Sequence, residues 1–298
     1  MSSSLKETMQ TMDAHYRSYG VEGRFGFDLY DKGLYQVRYQ QVVRLIRKHQ
    51  PAEQGLVLDL GCATGRLLAQ LQGAYPNAQL MGSDIAGVAL GYAKEHLPSA
   101  TFAQCGWPHL PLPAASLDGL SIQEVLGHLP EAMRPEALAQ SRVILKPGGW
   151  LCIGIKYRDK PGGLQPQSFL TLVEAAFEVV DRIPYQMWLS ELLSDALSRS
   201  LDRAMQRNLR LAGWQQQAGG DLAQVTGKKR LFLQLISTPP MSWLFALLRG
   251  ACNLWQVIIR GLILSPLPYR LLRTVEGLLS PLLKPRGEIL FCRRRQES

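Results

Sequence analysis

The sequence predicts an α/β protein, a doubly wound and mostly parallel sheet wrapped by helices, followed by a helical segment that is both apolar and basic. Three observations carry this. Short apolar runs alternate with segments of helical spacing between residues 51 and 156. The first of those runs ends in a glycine turn with an acid at its end. Beyond residue 186 the alternation gives way to long apolar stretches broken by single arginines.

The elements follow in order. Leu34, Tyr35, Arg38, Tyr39, Val42, Val43, Leu45 and Ile46 recur at helical spacing, and Pro51 closes that helix. Residues 56–60, Leu-Val-Leu-Asp-Leu, read as a buried strand. A helix is expected over 66–74, a strand over 79–83, a helix over 87–97 and a strand over 101–104. After a proline-rich loop come a strand over 117–122, a helix over 131–145 and a strand over 149–156. Crossovers between parallel strands are right-handed, which puts helices on both faces of the sheet. Farther on, 168–176 reads as a helix, 177–183 as extended and 287–293 as a final strand, with 230–236 a rival for the sixth strand.

Composition sets outer limits. The 298 residues are 46% hydrophobic and 19% charged, which excludes a disordered or fibrous chain. The net charge of +9 makes anionic partners plausible, and its placement narrows them. Residues 1–158 carry 15 basic and 13 acidic side chains, whereas 159–298 carry 18 and 11. Within 222–295 the acids are Glu276 and Glu288, against twelve lysines and arginines. Five scattered cysteines without a C-x-x-C pair argue against a disulfide framework or a zinc site, and the histidines show no metal-ligand spacing, so no metal is expected. A polar start without an apolar core argues against a secretory signal and for the cytoplasm.

The chemistry-bearing motif is Asp59-Leu60-Gly61-Cys62-Ala63-Thr64-Gly65. Gly61 and Gly65 let the backbone approach a ligand closely at a helix N-terminus, a place that favours a carboxylate. A nicotinamide fingerprint would need glycine at 63, where this chain has Ala63.

Residues 57–65 resemble the first motif of the class I S-adenosylmethionine-dependent methyltransferases, and further motifs arrive in that family's order. Asp84 ends the second strand nineteen residues after Gly65, Leu110-Pro111-Leu112-Pro113 with Leu117-Asp118 resembles the loop before the fourth strand, Ser121 to Leu129 the loop after it, and Leu145 to Gly149 the L-K-P-G-G turn. The resemblance implies a Rossmann-like seven-stranded fold and S-adenosyl-L-methionine as methyl donor. It implies that Asp59 lies beside the donor's amino group, that Asp84 accepts from both ribose hydroxyls, and that Gly61, Cys62, Ala63, Gly65, Ile85 and Gln123 line the donor site. Where the family usually has an acid near 106, this chain reads Cys105-Gly106-Trp107. Gly106 and Trp107 then cover the adenine, or Trp107 closes the edge of the core. His128 is a candidate general base, with Glu124 able to orient it only if the intervening turn is helical. The aromatic leader with Tyr16, Tyr19, Phe25, Phe27, Tyr30 and Tyr35 is either a lid over the donor or packing against the sheet.

The expected organisation is a leader or lid over 1–50, a catalytic domain over 51–186, a helical insertion over 187–285, and a returning edge strand with a basic tail over 286–298. In the insertion the apolar runs 241–248, 255–264 and 271–283 are interrupted by Arg249, Arg260, Arg270 and Arg273, and no run reaches the ~18–20 uncharged apolar residues of a spanning helix. This is the pattern of helices lying in an anionic membrane surface, with Trp243 and Trp255 as interface anchors; a substrate cap or a homodimer face is the alternative, and DNA is not expected. The function expected is methyl transfer to a small or lipid-like acceptor, on the inner face of a membrane if the insertion docks there. Methylation of a soluble polar substrate or tRNA, and a donor-binding scaffold without turnover, are the other readings.

Overall fold

The computed structural model describes residues 3–17, 33–52, 55–107, 110–157, 163–186, 188–218, 227–278 and 286–295. Seven strands form one sheet in the order β3-β2-β1-β4-β5-β7-β6. They are β1 (Leu56–Leu60), β2 (Gln79–Asp84), β3 (Thr101–Gln104), β4 (Leu117–Gln123), β5 (Leu145–Lys156), β6 (Glu178–Gln186) and β7 (Gly287–Arg293). The first five pair in parallel, and β7 runs antiparallel to both β5 and β6. This is the Rossmann-like sheet expected. The final strand corrects one expectation: β7 does not lie at an edge, because it is inserted between β5 and β6. Ile289, Leu290, Phe291 and Cys292 are all buried, so both faces of β7 need cover that an edge would not supply.

Side chains alternate across the sheet and build two cores. On one face, Val57, Trp150, Ile289 and Phe291 pack against α2 (Gly33–His49), α3 (Arg66–Ala74) and α4 (Gly87–His96). On the other, Leu58, Leu60, Leu120, Leu151 and Leu290 pack against α5 (Arg134–Ile144) and α6 (Pro166–Glu174). A 3-10 turn, Glu131–Met133, precedes α5, which therefore starts later than the spacing suggests. The first helix, α1 (Ser3–Tyr16), lies on the β1 and β2 loops, with Tyr16 packed on Ala86 and Ala89 and near Ala63.

The appendage consists of α7 (Trp188–Ala218), α8 (Gly227–Ser237), α9 (Pro239–Leu264) and α10 (Leu267–Leu278). Residues 230–236 are thus helical, not a strand. The sixth strand is supplied by β6, and Leu233 in that stretch turns inward, onto Phe245. The apolar runs around Trp243 and Trp255 join into the single 26-residue helix α9, which is long and apolar enough to cross a membrane by length and composition. Reading the runs separately hid this, because an arginine interrupts the hydropathy without interrupting a helix.

The appendage is braced within itself and against α2. Ser190, at the start of α7, donates from its amide and hydroxyl to the buried carboxylate of Glu276 on α10 at 2.8 and 2.9 Å. A carboxylate at a helix N-terminus satisfies orphan amides and complements the helix dipole. Against α2, Gln36 donates to the carbonyl of Leu264 and Arg270 donates to Gln40.

Candidate functional site

The site is built where β1, β2 and β4 end. Three residues of the turn after β1 adopt positive φ, Gly61 at 78°, Ala63 at 46° and Gly65 at 74°, which folds the chain back into α3. The amides of Gly61 and Cys62 both donate to the Ser83 carbonyl, at 2.7 and 3.0 Å, and tie this turn to β2. A β-carbon on Gly61 would collide with Val125, so the turn also touches the loop after β4. The expected glycine positions therefore carry the bend.

Asp84 at the end of β2 accepts from the amide of Ala63 through Oδ2 and from that of Ala86 through Oδ1, both at 2.9 Å. Burial holds its acidity below that of an ordinary aspartate, and the amides of Ala86, Ala63 and Ile85 oppose that shift. Of the roughly four acceptor positions of an ionised carboxylate, the bonds from Ala63 and Ala86 fill two, and a ligand shares the remainder with the Ile85 amide. Asp59 sits one strand over, opposite Ser121 in the β1–β4 register and hydrogen-bonded to that hydroxyl. Its pKa is pushed up to about 7, mainly by burial, with the charge of Asp84 adding to the effect and Arg38 opposing it. Two buried carboxylates sharing one cleft favour a cationic ligand, since a positive group removes the penalty of ionising them. That is the fit expected of a sulfonium donor that also carries an ammonium group.

Two further residues converge that the sequence reading placed in the helix pattern without assigning them a role. Arg38 of α2 is buried, and its Nη2 lies 3.5 Å from Oε1 of Glu124. Tyr39 follows it, its phenol raised to about 12 by burial, with Asp59 and Glu124 adding to the shift and Arg38 opposing it. Helix α2 therefore roofs the strand ends and brings a cation to the carboxylates. The signal available was an arginine at a core-facing position of an apolar helical stripe.

Glu124 has φ of 64° and precedes the 3-10 turn Leu126–His128. Its carboxylate pairs with Arg38, so the helical geometry that would let it orient His128 is not met. His128 itself is exposed at the end of that turn. Gln123, buried, donates to the Cys152 carbonyl at 3.0 Å, while its Oε1 is buried without a hydrogen-bond partner. Trp107 is buried in the core cluster with Leu58, Leu60 and Leu120. Gly106 lies against Ile85: a β-carbon on it would come within 2.8 Å of that side chain.

Tyr16 covers Ala63 and Ala86, and Asp13 accepts from the Val88 amide at 3.1 Å, so α1 caps α4 from outside. Tyr19, Phe25, Phe27 and Tyr30 lie outside the described residues. Among the described residues, no group of three or more His, Cys, Asp or Glu side chains could hold a metal ion.

Residues 57–149 match the family model described as a methyltransferase domain. The chain is 34% identical over 125 residues to the trans-aconitate 2-methyltransferase of Paracidovorax citrulli (strain AAC00-1), covering 40% of this chain and 44% of that protein. It is 34% identical over 117 residues to the O-methyltransferase cnsE of Penicillium expansum, covering 37% and 41%. The chain thus spans less than half the length of these curated relatives. Among solved structures, a putative sarcosine dimethylglycine methyltransferase from Galdieria sulphuraria superposes with a TM-score of 0.50 at 13% identity, covering 86% of this chain and 85% of that one.

Proposed function

We propose that this chain, whose residues 57–149 match a methyltransferase domain, is a class I S-adenosylmethionine-dependent methyltransferase that transfers the donor's methyl group to a small or lipid-like acceptor at a membrane surface. The observation that carries the proposal is the pair of buried carboxylates, Asp59 and Asp84, on either side of the 61–65 turn and roofed by Arg38. Asp84 accepts from the ribose hydroxyls with the positions its backbone amides leave open. Asp59 faces the ammonium of the donor's amino-acid end, and Arg38 offers its guanidinium to the carboxylate there. Gly61, Cys62, Ala63 and Gly65 give the backbone room to approach, and Gly106, Ile85 and Trp107 bound the adenine end.

The donor supplies a methyl group already activated on a positively charged sulfur. What the protein must then do is hold the acceptor in line with it and keep water away, and positioning of this kind supplies much of the rate. His128, exposed beside the site, takes the acceptor's proton when the nucleophile is a hydroxyl. Glu124, held by Arg38, positions the loop that carries it. The exposed apolar face of the appendage supports a lipid-like acceptor. A second reading, a small anionic acceptor, is favoured by the buried cation Arg38 and by the relatives named for trans-aconitate.

The test is incubation of the purified chain with methyl-labelled donor and fractionated cell extract. Label in the lipid fraction supports the first reading and label in small soluble acids the second; label in RNA rejects both. Tight donor binding with no labelled product would instead leave a scaffold without turnover. Asp84→Ala is expected to abolish measurable donor binding, and unchanged affinity refutes the ribose assignment.

A further inference from the structure

Helix α9 is amphipathic in the wrong sense for a soluble bundle. Residues 245, 249, 252, 256, 259 and 263 form the seam that faces α7, and this seam contains two polar side chains. Arg249 donates to Asn208 and Gln215, and Gln256 donates to the Ala204 carbonyl. The opposite stripe, at the same alternating spacing of four and three, is Trp243, Leu247, Gly250, Leu254, Val257 and Gly261. Its large members are 73, 72, 63 and 69% exposed for Trp243, Leu247, Leu254 and Val257 respectively. Apolar surface of this length, from 243 to 261 about 27 Å at ~1.5 Å per residue, marks an interaction site.

Charge selects the occupant. Residues 227–278 contain seven lysines and arginines and one acid, and that acid, Glu276, is fully buried against Ser190. No carboxylate is exposed anywhere on these three helices, while Lys228, Lys229, Arg230, Arg260 and Arg270 are exposed. Helices that combine an exposed apolar stripe holding Trp243 with exposed cations and no exposed acid fit anionic phospholipid headgroups above acyl chains. A spanning orientation is opposed by α7, which α9 packs on, since α7 exposes Asp195, Arg199, Asp202, Arg203 and Arg207 and would have to enter the hydrocarbon too.

We infer that the outer stripe of α9 docks the protein flat on an anionic phospholipid surface. This deepens the acceptor reading by naming the partner surface, and the geometry links it to the site: the α9–α10 junction at Leu264 and Ser265 packs on the first turn of α2, which carries Arg38.

The experiment is co-sedimentation of the full chain with vesicles of equal parts phosphatidylcholine and phosphatidylglycerol, or of phosphatidylcholine alone. Binding is expected to the anionic vesicles and to weaken with salt. Replacing Trp243, Leu247 and Leu254 together by serine, all exposed and so tolerated by the fold, should reduce it about a hundredfold. Lys228→Glu with Lys229→Glu should reduce it roughly tenfold or more. Absence of binding to anionic vesicles, or equal binding by the serine variant, overturns the inference. So does a dimer abolished by the same serines in a chain that ignores vesicles, or membrane protein that resists alkaline extraction as a spanning helix does. Donor affinity, measured by calorimetry on the same samples, should be unchanged by the serines. Loss of donor binding in the unsubstituted chain would strike the methyl-transfer reading alone.

Discussion

Arg38 on α2 and Glu124, the residue that follows β4, form an ion pair at 3.5 Å across the ends of the sheet. Arg38 is buried and Glu124 partly so, which means each compensates the other's lost hydration. Removing one partner of such a pair leaves the other charge stranded. Arg38→Ala should therefore lower stability by ~2–4 kcal/mol and weaken S-adenosylmethionine and S-adenosylhomocysteine by similar factors of about ten or more, because the carboxylate Arg38 is proposed to hold is common to both. Calorimetry with the two ligands checks this, and a loss confined to one of them contradicts the assignment.

Asp59 makes the empty site sensitive to pH. Its folded pKa of about 7 lies above the ordinary 3.8, so the native state binds a proton more tightly than the unfolded chain does. Asp59 costs the fold nothing below pH ~4, and the penalty grows as pH rises to about 7, reaching on the order of 4 kcal/mol. Asp59→Asn should raise the melting temperature at pH 8 and leave it nearly unchanged at pH 4. A cationic donor pulls the proton off, so donor affinity should rise between pH 6 and 8 with proton release, and Asp59→Asn should flatten that profile. Buffers of different ionisation enthalpy report the released proton directly.

Asp13 caps α4 from a distant helix, because α4 has no side-chain cap of its own. Asp13→Ala should cost ~1 kcal/mol. Hydrogen exchange should quicken at the amides of residues 86–90 before it does elsewhere, since α1 holds that helix end. Uniform quickening would mean that Asp13 serves the whole fold and not this corner.

Gly33 lies directly on the Ser265 carbonyl, with no space for a β-carbon between them. Gly33→Ala must push α2 away from the α9–α10 junction, and backbone on both sides leaves little room to relax. The expected outcome is lower stability together with weaker donor binding, because Arg38 moves with α2. Gly91→Ala, on α4 with open space around it, is the control and should leave both unchanged or slightly improved.

Much of the donor half was legible in one dimension. The acid of β1, the glycine turn and the acid of β2 lie within residues 59–84, and local backbone geometry fixes their relation: a strand, a left-handed turn and a helix leave few ways to arrange them. Arg38 carries no such signal, since only the packing of α2 over the strand ends distinguishes a buried cation from a surface one. Glu124 and His128 stand four apart in sequence, but the left-handed residue at 124 turns the carboxylate to Arg38, and spacing carries no record of that. The place of β7 was equally hidden, because a buried strand reads the same whether it is sixth or last in a sheet.

The opening pattern thus settled the fold class and the donor motif, because both rest on periodicity and on turns of a few residues. It also placed the basic excess on an apolar appendage. Whether those apolar runs were cores or surfaces was decided only in three dimensions. α9 turns Arg249 and Gln256 inward to polar partners on α7 and leaves Trp243, Leu247, Leu254 and Val257 outside. A helix with apolar residues on most of its circumference can bury either side, and only the neighbour it packs against selects the side that remains exposed.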